Sequence, residues 1–259
     1  MVWLMKPRVL KDAGFYVLGE ILFFVHHGSK EGKGNTIKTS QFQLFTFIYV
    51  AAASAFLVLL AMDMVGIGRT VLKAIPVSTL MVLVLRDMRG FVRICLTGAL
   101  LVSVCGDILL DLPYANVFIF GLVAFLVAHL FYTVLFFRHA KSPDGFGKVM
   151  MAGLVLFAGV MMWIFRGIAP GLYGPVVLYI VVIVTMSIGA LLVPAKNNGL
   201  FWGALIFIAS DVVLAFNKFL MAVPYGRVIN ISLYFIAQFM IIMAARAIWS
   251  DTHEAAVRK

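Results

Sequence analysis

Residues 118–137 read FIFGLVAFLVAHLFYTVLFF, twenty residues without a lysine, arginine, aspartate or glutamate. A strand of a membrane barrel alternates apolar and polar residues, and no such alternation runs through this stretch. As a helix, twenty residues at 1.5 Å each extend about 30 Å, the thickness of a bilayer's hydrocarbon core. The stretch therefore reads as a membrane-spanning helix, and it carries His129 and Tyr132 at depth.

Seven further apolar runs occur, several carrying a charged residue, with the second and fifth of the eight the shortest. Together the eight candidates fall at about 42–62, 70–85, 91–110, 115–137, 148–165, 174–193, 200–220 and 228–249. The whole chain of 259 residues is 63% apolar and 12% charged, against about half and a quarter for a soluble domain. The expectation is an all-α membrane protein with eight transmembrane helices in a domain 42–249. A basic segment 1–41 precedes it and a polar tail 250–259 follows. Within the first segment GFYVLGEILFFVH (14–26) is short and interrupted by Glu20, and HHGSKEGKG after it offers no small-residue cleavage site. That pattern suits an interfacial helix rather than a signal peptide.

The net charge of +10 follows topology and does not call for nucleic acid. Basic residues crowd the N-terminal segment, the even-numbered connections (Arg86, Arg89, Arg93, Arg138, Lys141, Lys148, Lys196) and the C-terminal end. The odd connections hold only Arg69, Arg166, Lys218 and Arg227. The positive-inside rule then puts both termini in the cytoplasm, and the basic face suits anionic lipid. Cys95 and Cys105 are ten residues apart on one expected helix, about 15 Å, too far for a disulfide.

A weak internal echo pairs GDILL (106–110) with SDVVL (210–214), and PYANV (113–117) with PYGRV (224–228). It would make helices three and four the counterparts of seven and eight, giving two parallel four-helix repeats; chance is the alternative for matches this short.

Asp107 and Asp211 stand inside apolar runs, CGDILL and IFIASDVVLAF. An intramembrane carboxylate costs roughly 3 kcal/mol or more and generally faces the bundle interior at a functional place. The plainer alternative is a carboxylate that satisfies a helix N–H or a lysine for packing. Asp63, Asp87 and Asp111 fall at expected helix ends and read as solvated. Further polar residues at depth are Lys73, His129, Tyr132, Tyr179, Asn217, Tyr234 and Gln238. Each has a plain reading too: interface belts for tyrosine, interhelical contacts for Gln238, snorkelling for Lys73. Their joint occurrence on six helices suggests a polar seam. Unequal distances from Lys73 would leave one aspartate protonated and the other ionised near neutral pH, an acid and a base in one pocket. No metal-ligand spacing, P-loop, G-x-G-x-x-G or serine elbow is present, so neither metal nor cofactor is expected. Metal-free acid–base hydrolysis of a lipid and proton-coupled transport both fit these residues.

Taken in order, LKAIPVSTL, CGDILL, GLVAFLVAHLFYTVLF, YIVVIVTMSIGAL, GALIFIASDVVLAF and YFIAQFMIIMAAR resemble the YhhN-type lysoplasmalogenase family of eight-helix membrane proteins, over about residues 70–246. The resemblance implies hydrolysis of the vinyl ether of lysoplasmalogens to a fatty aldehyde and a glycerophospho-head-group, with a lysophospholipid substrate and membrane lipid around it. It implies Asp107 and Asp211 as the catalytic pair. Lys73, His129, Tyr132, Tyr179, Asn217, Tyr234 and Gln238 would bind or orient the substrate. The corresponding location is a multi-pass protein of a bacterial inner (plasma) membrane. A proton-coupled transporter and a catalytically silent lipid-binding regulator are the alternatives.

Overall fold

In the computed structural model, residues 36–112, 117–195 and 197–257 are described. They form α1 (Thr36–Ala61), α2 (Ile67–Asp87), α3 (Gly90–Asp111), α4 (Val117–Arg138), α5 (Gly145–Phe165), α6 (Pro170–Leu192), α7 (Gly199–Phe219) and α8 (Gly226–Val257). All eight are long and apolar enough to cross a membrane, and no strand occurs among the described residues. The interfacial helix expected at 14–26 and the PYAN stretch at 113–116 lie outside them.

Helix ends follow local chemistry. Asp144 accepts the Gly147 N–H at 2.6 Å and caps α5, satisfying one of the donors that a helix start leaves free. Pro170 opens α6, where its missing N–H costs nothing. Gly90 turns the chain between α2 and α3 with φ +56, a left-handed conformation that glycine adopts freely.

Consecutive helices run antiparallel, and the packing closes as α1, α2, α3, α4, α6, α7 and α8, with α8 returning to α1 and α2. α5 leans on α6 from outside and presents Val149, Val155, Leu156 and Trp163 outward, a face for lipid. The closest pairs are α3 with α4 and α7 with α8. Without a hydrophobic drive between helices, such approach depends on small residues. A Cβ on Gly203 would lie 2.8 Å from Ile241 Cγ1 and 3.1 Å from its backbone nitrogen. One on Gly106 would lie 2.8 Å from the Phe125 ring.

Two expectations about charge are corrected here. Asp111 is buried at the end of α3: Arg69 donates to it from Nη2 at 2.9 Å and Nε at 3.3 Å, and Thr70 Oγ1 at 2.7 Å. Its place at a helix end permits either solvent or a partner, and the first turn of α2 supplies the partner. Asp87 likewise accepts from Arg246 Nε at 2.7 Å, which ties α2 to α8. Asp63 is exposed. Cys95 and Cys105 are free thiols.

Candidate active site

α3 and α8 face each other with two polar rungs one helical turn apart. In the first, Tyr234 donates to Asp107 Oδ2 at 2.7 Å; in the second, Gln238 Nε2 donates to Ser103 Oγ at 3.1 Å. The i, i+4 spacing on both helices makes the register. Tyr132 of α4 completes the second rung by donating to Gln238 Oε1 at 2.7 Å. Lys73 reaches the first from α2: its Nζ lies 3.3 Å from Asp107 Oδ1 and donates to the Asp107 carbonyl at 3.1 Å. Asp107 and Lys73 are both almost fully buried, at 1% and 3% side-chain exposure.

Asp211 is held differently. Tyr179 of α6 donates to its Oδ2 at 2.7 Å. His129 Nε2 of α4 stands 4.0 Å from the same oxygen and has no hydrogen-bond partner among the described residues. The His129 ring packs edge-on against Tyr179 at 5.4 Å and Phe207 at 4.6 Å between centroids. Phe207 in turn meets Tyr234 at 5.5 Å, so one aromatic ring touches both carboxylate settings. Among the described residues no lysine or arginine pairs with Asp211.

Two cavities adjoin these groups. An apolar one lies between α4, α5, α6 and α7, walled by residues such as Phe118, Phe157, Met161, Phe165, Ile180 and Phe219. Asp211 is its one charged lining residue, and Tyr179 lines it too. A second cavity gathers the polar side chains of Lys73, Asp111, Asn217, Arg227 and Asn230 among apolar ones such as Phe56, Leu60 and Ile231. Leu214 belongs to both walls. Asp107 lines neither.

Of the residues singled out by sequence, Lys73, Asp107 and Tyr234 form one cluster, Tyr132 and Gln238 a rung beside it, and Asp211, Tyr179 and His129 another cluster. Lys73 contacts only the first aspartate. Asn217 lies near the end of α7, where its Oδ1 accepts the Val223 N–H at 3.0 Å and shapes the turn into α8. Sequence reasoning passed over Ser103, Phe207, Arg227 and Asn230. The i, i+4 offsets of Ser103 from Asp107 and of Gln238 from Tyr234 were the available signal for the rungs.

A sequence model of the YhhN family matches residues 68–245. The chain is 34% identical over 170 residues to Lysoplasmalogenase TMEM86B of Sus scrofa, covering 65% of this chain and 71% of that one. It is 31% identical over 176 residues to Lysoplasmalogenase TMEM86B of Homo sapiens, covering 67% and 73%. It is 34% identical over 137 residues to Lysoplasmalogenase of Mycobacterium tuberculosis (strain CDC 1551 / Oshkosh), covering 51% and 52%. The match thus spans about half of the mycobacterial protein and about seven tenths of the two mammalian ones. No solved structure matches the chain.

Proposed function

The chain belongs to the YhhN family, and from that premise we propose that it is a lysoplasmalogenase, hydrolysing the vinyl ether of a one-chain lipid to a fatty aldehyde and a glycerophospho-head-group. The observation that carries the reading is the position of Asp211, a carboxyl on the wall of an otherwise apolar cavity between α4, α5, α6 and α7. In such a slot the chain stays out of water while its reactive end meets a proton donor.

Hydrolysis of a vinyl ether begins with proton transfer to the carbon remote from oxygen. Tyr179 donates to Oδ2 of Asp211, which leaves Oδ1 as the oxygen that delivers the proton in this scheme. As it moves, the alkene pair forms the new C–H bond and leaves an oxocarbenium ion that the Asp211 carboxylate stabilises. Water attacks the carbon next to oxygen and gives its proton to the same carboxylate. The hemiacetal then collapses to aldehyde and alcohol, its hydroxyl proton passing to the leaving oxygen. One carboxyl acting first as acid and then as base follows the logic of the glycosidases. His129, beside the same oxygen, is the group available to orient the water. Asp107, behind Lys73 and Tyr234, is a positioning residue in this scheme.

The protein is a multi-pass membrane protein. We infer that both termini face the cytoplasm of a plasma membrane, the bacterial inner membrane; the support is the bias of basic residues to the even connections.

The deciding assay gives purified protein a lysoplasmalogen and an ester-linked lysolipid. Aldehyde release from the first with no fatty acid from the second is the expected result, because no serine, threonine or cysteine is among the described residues that line the cavity. Ester cleavage at a comparable rate overturns the proposal. For orientation, Ser142→Cys and Gly171→Cys in a background lacking Cys95 and Cys105 are expected to label from opposite sides; labelling from one side rejects the inferred topology.

A further inference from the structure

The polar cavity lies where α1, α3 and α7 end and α2 and α8 begin, so it stands at one membrane face. Its basic side chains exceed what its carboxylate needs. Asp111 is already satisfied by two N–H groups of Arg69 and the Thr70 hydroxyl. Arg227 Nη2 is 4.0 Å from Asp111 and the residue's side chain is 58% exposed, an arm with its fork of donors uncommitted. Lys73 spends its contacts on Asp107 yet also lines the cavity. By formal charge, Lys73 and Arg227 outnumber Asp111 by one among the residues that line the cavity.

The remaining polar lining groups are two amides with one end committed. Asn217 uses its Oδ1 on Val223 N, leaving its NH₂ as a donor. Asn230 uses its NH₂ on Ser210, at 2.9 Å to the carbonyl and 3.0 Å to the hydroxyl, leaving its oxygen as an acceptor. One surplus positive charge, donors from Arg227 and Asn217, and a single neutral acceptor match a phosphodiester with a hydroxyl beside it.

Resting on the lysoplasmalogenase reading, we propose that this cavity is the head-group subsite: Arg227 and Lys73 receive the phosphodiester of a one-chain glycerolipid, and Asn230 accepts from its free glycerol hydroxyl. The spacing agrees. From Asp211 to Asn217 is six residues, about 9 Å along α7. The spacer from vinyl carbon to phosphorus is also about 9 Å when extended, at bond lengths near 1.5 Å. Leu214, halfway between and common to both cavities, marks where the lipid passes from apolar to polar surroundings.

The test compares an alkenyl lysophospholipid with the corresponding alkenylglycerol, which lacks phosphate. In Arg227→Gln the ratio of their kcat/KM values is expected to fall tenfold or more, the order lost with a hydrogen bond between charged groups, and Arg227→Lys is expected to restore part of it. A ratio unchanged within twofold overturns the subsite. A parallel arm needs no turnover. Calorimetry in maltoside micelles measures binding of a saturated alkyl-ether lysophospholipid and of the alkylglycerol, and Arg227→Gln is expected to erase the preference for the former. If wild-type protein releases no aldehyde from either alkenyl lipid, the enzymatic reading fails while the binding arm still decides the subsite. Inorganic phosphate that competes as strongly as the lysophospholipid would make this a free-anion site and reject the head-group assignment.

Discussion

Asp107 and Asp211 occupy the first helix of the two closest antiparallel pairs, and the chain around them reads almost alike, GDILL and SDVVL. Their surroundings differ in kind. Asp107 meets an ammonium at 3.3 Å and a phenol at 2.7 Å, and has 1% of its side chain exposed. Asp211 meets a phenol at 2.7 Å and an imidazole at 4.0 Å, has 15% of its side chain exposed, and lines the apolar cavity. A carboxylate whose charge is matched and whose faces are covered contributes to the arrangement of its neighbours. A carboxyl with no lysine or arginine paired to it among the described residues, on the wall of an apolar cavity, is in the proposed reading the one placed to protonate an entering lipid. On that proposal the same local sequence serves two ends, and the partner helices decide which.

The largest expected effect follows directly. Asp211→Asn preserves shape and can still accept from Tyr179 but cannot transfer a proton, so kcat is expected to fall by about 10² to 10⁴. Thermal unfolding in detergent should be unchanged or shifted upward, because a neutral amide is easier to bury than a carboxylate. A variant that retains a near-parental rate of aldehyde release removes Asp211 from the chemistry.

Asp107→Asn is expected to reverse this pattern. Removing one member of a buried ion pair leaves Lys73 uncompensated, a loss of about 3–5 kcal/mol, so the unfolding midpoint should drop well below that of Asp211→Asn. Because Lys73 also lines the polar cavity, the activity loss should appear chiefly as a raised KM for the phosphate-bearing lipid. Removing both charges, as Asp107→Asn with Lys73→Met, should recover much of the lost stability. If Asp107→Asn instead melts like the parent and loses kcat as heavily as Asp211→Asn, the two aspartates share the chemistry and the contrast drawn between them is wrong.

The eight helices were legible because each needs an uninterrupted run of about 20 apolar residues, which few other structures require. Their ends were less so. α1 starts at Thr36 and α8 continues to Val257, since backbone hydrogen bonding carries on into polar residues that hydropathy counts as outside. The polar residues of the site were legible as anomalies, one at a time. Which of them meet was not: Lys73 and Asp107 are 34 residues apart, Arg69 and Asp111 are 42, and nothing local tells a helix-end aspartate whether water or arginine awaits it. Cavities are the extreme case, being spaces left by side chains of four or more helices.

Tyr179→Phe tests a smaller term. It removes the one hydroxyl donating to Asp211 and leaves the carboxyl in place, so kcat is expected to fall about tenfold, the order of one hydrogen bond to a charged group. A loss equal to that of Asp211→Asn would make the phenol itself the proton donor.

The smallest effect is expected at the second rung. Tyr132 and Gln238 lie one helical turn from the Asp107 cluster, and both are buried, but neither lines either of the two cavities described above. Tyr132→Phe deletes the hydrogen bond to Gln238 Oε1 and leaves a buried acceptor bare, a loss of about 1–3 kcal/mol. The Gln238 bond to Ser103 and the packing of the ring on Phe136, 5.8 Å between centroids, survive the change. The midpoint of unfolding should therefore fall by a modest amount while aldehyde release stays within about twofold of the parent. That outcome separates a polar network that holds helices together from one that handles protons, since only the latter needs an ionisable hydroxyl. A hundredfold loss of rate at unchanged stability would mean that protons travel along Tyr132, Gln238 and Ser103 to Asp107, and would return the paired aspartate to the centre of the reaction.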